Sequence, residues 1–191
     1  MLRYLEYGSV LLTCMIEVET KVEADHEEVR ERIEKLGGEH VAGKRQVDTY
    51  YSAPHRDFGE TDEALRVRIE NGVPHVTYKG PVVSETTKSR KEIEMEVESQ
   101  DKIEDLLLEL GFEEFETVEK DREVYSLMDA TVTLDDVSGL GEFAEIELVS
   151  PETQLEEVQD RVLELLDRLG FDEDEVIEDT YLKMIVEGER L

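Results

Sequence analysis

The sequence predicts an α+β protein in one domain: antiparallel strands interrupted by helices, with the sheet closed into a barrel and the helices packed outside. Three observations predict it. Several segments alternate apolar and polar residues with period two. Three segments repeat a strand, a helix and a terminal Leu-Gly. The charged residues of the strands share one face, opposite the apolar residues that amphipathic helices must cover.

The three repeated units are "EVETKVEADHEEVRERIEKLGG", "EIEMEVESQDKIEDLLLELGF" and "EIELVSPETQLEEVQDRVLELLDRLGF". Their helical stripes are Val29, Ile33, Leu36; Ile103, Leu106, Leu107, Leu110; and Leu155, Val158, Val162, Leu165, Leu166, Leu169. Asp25, Ser99 and Ser150 read as N-caps, with Pro151 at a first helical position. Gly37, Gly111 and Gly170 read as left-handed helix ends. Between the units lie "QVDTYY", "EALRVRIE", "HVTYKG", "TVEKDREVYS", "ATVTLDDV" and "FAEIELV", joined by turn signals such as Asn71-Gly72 and Ser138-Gly139. The stretch "TYLKMIVE" reads as a short closing helix.

Composition narrows the function classes. The 191 residues carry 51 acids against 21 bases, a net charge of −30. Regular apolar periods argue against disorder. Such an acid excess suits a protein dissolved in high salt, and it argues against nonspecific binding to nucleic acid or an anionic membrane. The single cysteine, Cys14, excludes an internal disulfide and reads as a small buried hydrophobe. No apolar run approaches the roughly 20 residues of a membrane span. Residues 1–14 read as an N-terminal extension without a signal-peptide cleavage region, ahead of one domain at 15–191, and the expected location is the cytoplasm.

Strand alternation sorts the charged residues. Glu17, Glu19 and Lys21 oppose Ile16 and Val18. Arg66 and Arg68 oppose Leu65, Val67 and Ile69. His75, Thr77 and Lys79 oppose Val76 and Tyr78. Lys88, Arg90, Glu92, Glu94 and Glu96 oppose Ile93, Met95 and Val97. Lys120 and Arg122 form another pair. Thr131, Thr133 and Asp135 oppose Val132 and Leu134, and Glu145 and Glu147 oppose Ala144, Ile146 and Leu148. Helices cover the apolar face, so the charged faces point away from them. An open sheet leaves those faces in solvent; a closed one gathers them in a tunnel. Eight of the 21 bases lie on these faces, which favours the tunnel.

A lumen of both signs suits a metal-bound polyanion. Arg offers planar paired donors to phosphate oxygens and Lys a compact charge. Glu residues two apart on a strand stand about 6.5 Å apart, close enough to share a hard cation such as Mg²⁺ or Mn²⁺. Glu-x-Glu alone is a weak signal in so acidic a chain. Glu-x-Glu-x-Lys followed by Arg-x-Arg, a strand-end Lys, Arg-x-Glu-x-Glu, Lys-x-Arg and a second Glu-x-Glu is far more specific.

From Met15 onward these motifs resemble the CYTH superfamily of class IV adenylyl cyclases and thiamine triphosphatases, the triphosphate tunnel metalloenzymes. Glu17-Val18-Glu19-Thr20-Lys21 resembles its Glu-x-Glu-x-Lys signature. "QVDTYYSAPHRDFGETDEALRVR", "YKGP" and "LDDVSGLGEFAEIE" look like the cyclase branch. The resemblance implies a closed eight-stranded antiparallel β-barrel. It implies Glu17, Glu19, Glu145 and Glu147 as metal ligands, and Lys21, Arg66, Arg68, Lys79, Arg90, Lys120 and Arg122 as triphosphate ligands. Glu17, Glu19 and Lys21 would be catalytic, and Glu92, Glu94 and Asp135 further lumen acids. Unlike some cyclase sequences, this chain has no His-Phe pair before the signature.

The expected reaction is the metal-dependent conversion of ATP to cyclic AMP and pyrophosphate. The alternatives are a triphosphatase acting on inorganic triphosphate, thiamine triphosphate or a nucleotide, and a polyphosphate-binding module without turnover. The resemblance also makes a homodimer a candidate assembly, which the sequence itself does not decide. His26 and His40 read as surface residues, His75 and His55 as candidate ligand contacts. Tyr50, Tyr51 and Tyr78 read as packing residues, Lys183 as a surface residue, and Gly139 and Gly141 as turn formers.

Overall fold

The computed structural model describes residues 15–84, 87–151 and 154–188. The N-terminal extension, residues 1–14, lies outside them.

Eight strands form one antiparallel sheet. In chain order they are β1 (Met15–Glu23), β2 (Glu39–Ser52), β3 (Ala64–Glu70), β4 (Val73–Ser84), β5 (Thr87–Glu96), β6 (Glu113–Leu127), β7 (Ala130–Val137) and β8 (Gly141–Pro151). Their spatial order is β1-β8-β7-β6-β2-β3-β4-β5. Helices α1 (His26–Lys35), α2 (Phe58–Thr61), α3 (Gln100–Glu109), α4 (Leu155–Arg168) and α5 (Tyr181–Gly188) interrupt the strands or follow them.

The strands pair in the registers their period-two faces require. Asn71 and Gly72 both have positive φ, 49° and 86°, and make the two-residue turn of the β3–β4 hairpin. Gly139, with φ of 82°, turns β7 into β8. The Asp25 carboxylate accepts from the Glu27 and Glu28 amides at 2.9 and 3.0 Å, and the Ser99 hydroxyl accepts from Lys102, so both cap their helices.

Apolar residues on the outer sheet face meet the helices in two layers. Val18, Val22, Leu127, Val132, Leu134, Ala144, Ile146 and Leu148 pack under Val29 and Ile33 of α1 and the whole inner stripe of α4 from Val158 to Leu169. Burying that many aliphatic side chains, at about 1.5–3 kcal/mol each, is the main force holding helices to this half of the sheet. Under α2 and α3 a smaller cluster joins Tyr51, Phe58, Leu65, Val67 and Leu107.

Four expectations change. The barrel is not closed by hydrogen bonds: among the described residues no ladder joins β1 to β5, although the two edges approach within 8 Å between Cα atoms. Bulges bend and over-twist strands, and β4 shifts register against β5 between Lys79 and Val82 and again before Ser84, beside that seam. Ser150 and Pro151 belong to β8, because pairing with Ile16 and Met15 prolongs the strand, and α4 starts only at Leu155. Helix α3 buries Leu107 but leaves Leu106 and Leu110 exposed. His26 is buried, its Nε2 3.1 Å from the Phe143 carbonyl. His40 is exposed and edge-on to Tyr125.

Candidate active site

The inner sheet face buries polar and charged side chains, Lys21, Gln46, Asp48, Thr77, Lys120, Thr133 and Asp135, with Val118, Val137 and Phe143 as an apolar patch at one end. Register explains how they meet. Glu19 lies opposite Glu147 and Lys21 opposite Glu145 across β1–β8; Arg122 lies opposite Asp135, and Asp48 opposite Arg68. On the far side Lys79 lies opposite Glu92 and Thr77 opposite Glu94. Directly opposed residues of an antiparallel pair share a face, so these rows merge into one lining. They surround a cavity of about 560 Å³.

Two buried carboxylates organise its cations. Asp48 accepts from Arg68 Nε and Nη2, both at 2.6 Å, and from Arg66 Nη1 at 3.1 Å. Asp135 accepts from Arg122 Nε at 2.6 Å, Arg122 Nη2 at 2.5 Å, Lys120 Nζ at 2.7 Å and the Tyr181 hydroxyl at 3.1 Å. Arg122 also donates to Glu145. Burial pushes the Asp48 and Asp135 carboxyls up, but their Arg partners outweigh it and hold both below the ordinary carboxylate value. Glu145 is likewise held low by Arg122 and Lys120 against the effect of burial. Burial and the adjacent Arg122 push the Lys120 ammonium down to about 8.

Helix α5 closes one end. Tyr181 packs on Phe143 with Val118 and Val137, and its ring carries Lys21 Nζ at 4.3 Å and Lys120 Nζ at 4.8 Å from the centroid. Lys21 also donates to the Asp179 carbonyl at 2.6 Å.

The structure places Glu19, Lys21, Arg66, Arg68, Lys79, Glu92, Glu94, Lys120, Arg122, Glu145 and Glu147 around this cavity. Asp135 joins them through its bonds to Lys120 and Arg122. Glu17 and Arg90 have strand backbones paired to Val149 and Val82, but their side chains lie outside the described residues. Glu145 is engaged by Arg122, whereas Glu19 and Glu147 have no hydrogen-bond or ion-pair partner among the described residues. Tyr50, read as a packing residue, lines the cavity, while Tyr78 donates to Glu63 on the outside. Lys183 is exposed beside Asp179. Asp48 and Tyr181 were missed. Asp48 shares parity with Gln46 and Tyr50 in "QVDTYY", a signal present in the alternation; Tyr181 reaches the cavity only through the docking of α5.

A family model described as the CYTH domain matches residues 15–181. The chain belongs to the CYTH family. A protein of Methanocaldococcus jannaschii named "Putative adenylate cyclase" is 41% identical over 172 residues, spanning 89% of this CYTH chain and 98% of its own. The PH1819 protein of Pyrococcus horikoshii has a solved structure 40% identical to this chain, with a TM-score of 0.81 over 90% of this chain and 99% of its own. A Hippeastrum protein, HpAC1, shares the fold at 19% identity and a TM-score of 0.67, over 92% of this chain and 96% of its own; its structure carries the description of a dominant triphosphatase activity. No helix among the described residues is long and apolar enough to cross a membrane.

Proposed function

We propose that this CYTH protein is a metal-dependent adenylyl cyclase that folds ATP into the cavity and releases cyclic AMP and pyrophosphate. The carrying observation is the lining itself: Lys21, Arg66, Arg68, Lys79, Lys120 and Arg122 converge on one 560 Å³ space that also holds Glu19 and Glu147, two carboxylates without a partner among the described residues. The cyclase name of the 41%-identical archaeal relative supports the choice of reaction.

The cations bind and orient the triphosphate and neutralise the departing pyrophosphate. With the triphosphate so held, the ribose 3′-oxygen attacks the α-phosphorus in line as the bond from that phosphorus to the bridging oxygen of the pyrophosphate breaks, and the hydroxyl proton passes to water. Glu19 and Glu147 face each other from paired strands and offer the oxygen donors that a Mg²⁺ or Mn²⁺ ion prefers, although the described residues alone contain no cluster of three or more ligating side chains. Glu17, Glu19 and Glu147 would hold it, and once bound it supplies positive charge at the transferring phosphoryl group and acidifies the attacking hydroxyl.

A second reading is hydrolysis of a triphosphate's terminal phosphate. The apolar part of the lining, Ala64, Val118 and Val149 beside Tyr50, is small against its cations, which favours phosphate recognition over base recognition. The deciding experiment incubates the protein with ATP, tripolyphosphate and thiamine triphosphate under Mg²⁺ or Mn²⁺. Cyclic AMP with pyrophosphate selects the cyclase, orthophosphate selects the hydrolase, and binding without product leaves a polyphosphate-binding module.

A further inference from the structure

We infer that Asp48 is a positioning residue that sets Arg66 and Arg68 for the polyphosphate, an inference that rests on the polyphosphate reading of the cavity. By charge alone Asp48 is misplaced, since a carboxylate in the wall of a triphosphate site repels the ligand. Its side chain is 3% exposed, so no water screens it. Its hydrogen bonds show what it does instead.

Arg68 spends Nε and Nη2 on the two oxygens of Asp48, a planar two-point grip that fixes its guanidinium and leaves Nη1 without a bond among the described residues. Arg66 spends Nη1 on Asp48 Oδ2 and is also engaged by Tyr50, and its Nε is buried without an acceptor among the described residues. Both arginines line the cavity, so an anion entering that space meets guanidinium groups already held in place by Asp48. Asp48 therefore turns two flexible arms into one preset fork on the cavity wall. Binding then loses little side-chain freedom on this wall.

Charge and positioning predict opposite signs for Asp48→Asn. Removing a negative charge tightens polyanion binding if only charge matters; loosening the fork weakens it. Calorimetry of tripolyphosphate and of ATP, in EDTA to isolate the cationic wall, separates the two. Wild type binds both. Asp48→Asn binds both at least ~10-fold more weakly, with turnover lost in KM before kcat. Asp48→Glu, which keeps a carboxylate, recovers part of the affinity. Arg68→Lys weakens binding by a similar factor and costs little more when combined with Asp48→Asn, because one fork is lost in either case. Asp48→Asn binding as tightly as wild type, or more tightly, overturns the inference while the polyphosphate reading stands. Wild type that binds neither probe overturns the reading and the inference with it. Should Asp48→Asn melt, Arg68→Lys alone decides: it keeps every charge but cannot span both oxygens, and unchanged affinity overturns the fork.

Discussion

Asp48 and Asp135 occupy equivalent places on two halves of the sheet. Each faces an Arg on the neighbouring strand, Arg68 or Arg122, and takes two hydrogen bonds from it. Each takes another from the base two residues earlier, Arg66 or Lys120. Four inward cations are thus held on two buried acids before any ligand arrives.

Removing Asp135 strands two cations in a buried site. Asp135→Ala should lower unfolding stability by about 3–5 kcal/mol, the usual cost of breaking a buried ion pair. Urea denaturation followed by circular dichroism measures it. A loss below 1 kcal/mol would mean that water already screens this cluster.

Acid should dissolve the same network. The folded-state values of Asp48, Asp135 and Glu145 lie below their ordinary ones, so the unfolded chain takes up protons first. Their contribution is complete above about pH 4–5 and disappears as pH falls through the depressed folded values. Melting temperature should therefore drop steeply below about pH 4, and Asp48→Asn should flatten that slope.

Lys120 gives an alkaline limb to binding. Its ammonium titrates near 8 in the fold, below the lysine norm of 10.5. Tripolyphosphate affinity should fall as pH rises through about 8, and Lys120→Arg should abolish that fall. Stability moves the other way: between about 8 and 10.5 the unfolded state binds more protons, so this group's contribution rises with pH. Titrating affinity and stability on the same samples checks both signs.

Glu19→Gln and Glu147→Gln separate activity from stability. Either should reduce metal-dependent turnover ~100-fold or more. Neither should lower the melting temperature, because the two carboxylates oppose each other without a shared cation among the described residues and like charges across a strand pair repel. Turnover assays beside calorimetric scans measure the two effects.

Tyr181→Phe keeps the floor and loses one hydrogen bond to Asp135, costing about 1 kcal/mol. Tyr181→Ala removes the ring beneath Lys21 and Lys120 and should cost about 3–5 kcal/mol. Equal losses in the two variants would reduce the ring to a spectator.

Strand period made most of the sheet legible, because one buried face fixes which residues of β1, β3, β7 and β8 point inward. Asn71, Gly72 and Gly139 marked their turns because few residues tolerate positive φ. Long-range effects were hidden. Pairing with β1 carries β8 through Ser150, against the local cap signal, and the unjoined β1–β5 seam is a relation between strands far apart in sequence. Within the cavity, the Lys and Arg positions could be read from alternation, but the partner each one grips depends on register. So Asp48, plain in the strand, acquired its meaning only opposite Arg68.

The unjoined seam makes the cylinder a split ring. Amides along the outer edges of β1 and β5 have no mutual partners among the described residues, whereas those of β7 are bonded on both flanks. Deuterium should enter the two lips well before it enters the opposite wall. Tripolyphosphate bound between Arg66 and Lys79 on one side and Lys21 on the other should slow that uptake at both lips, and equal uptake with and without it would mean that the gap does not respond to what the cavity holds.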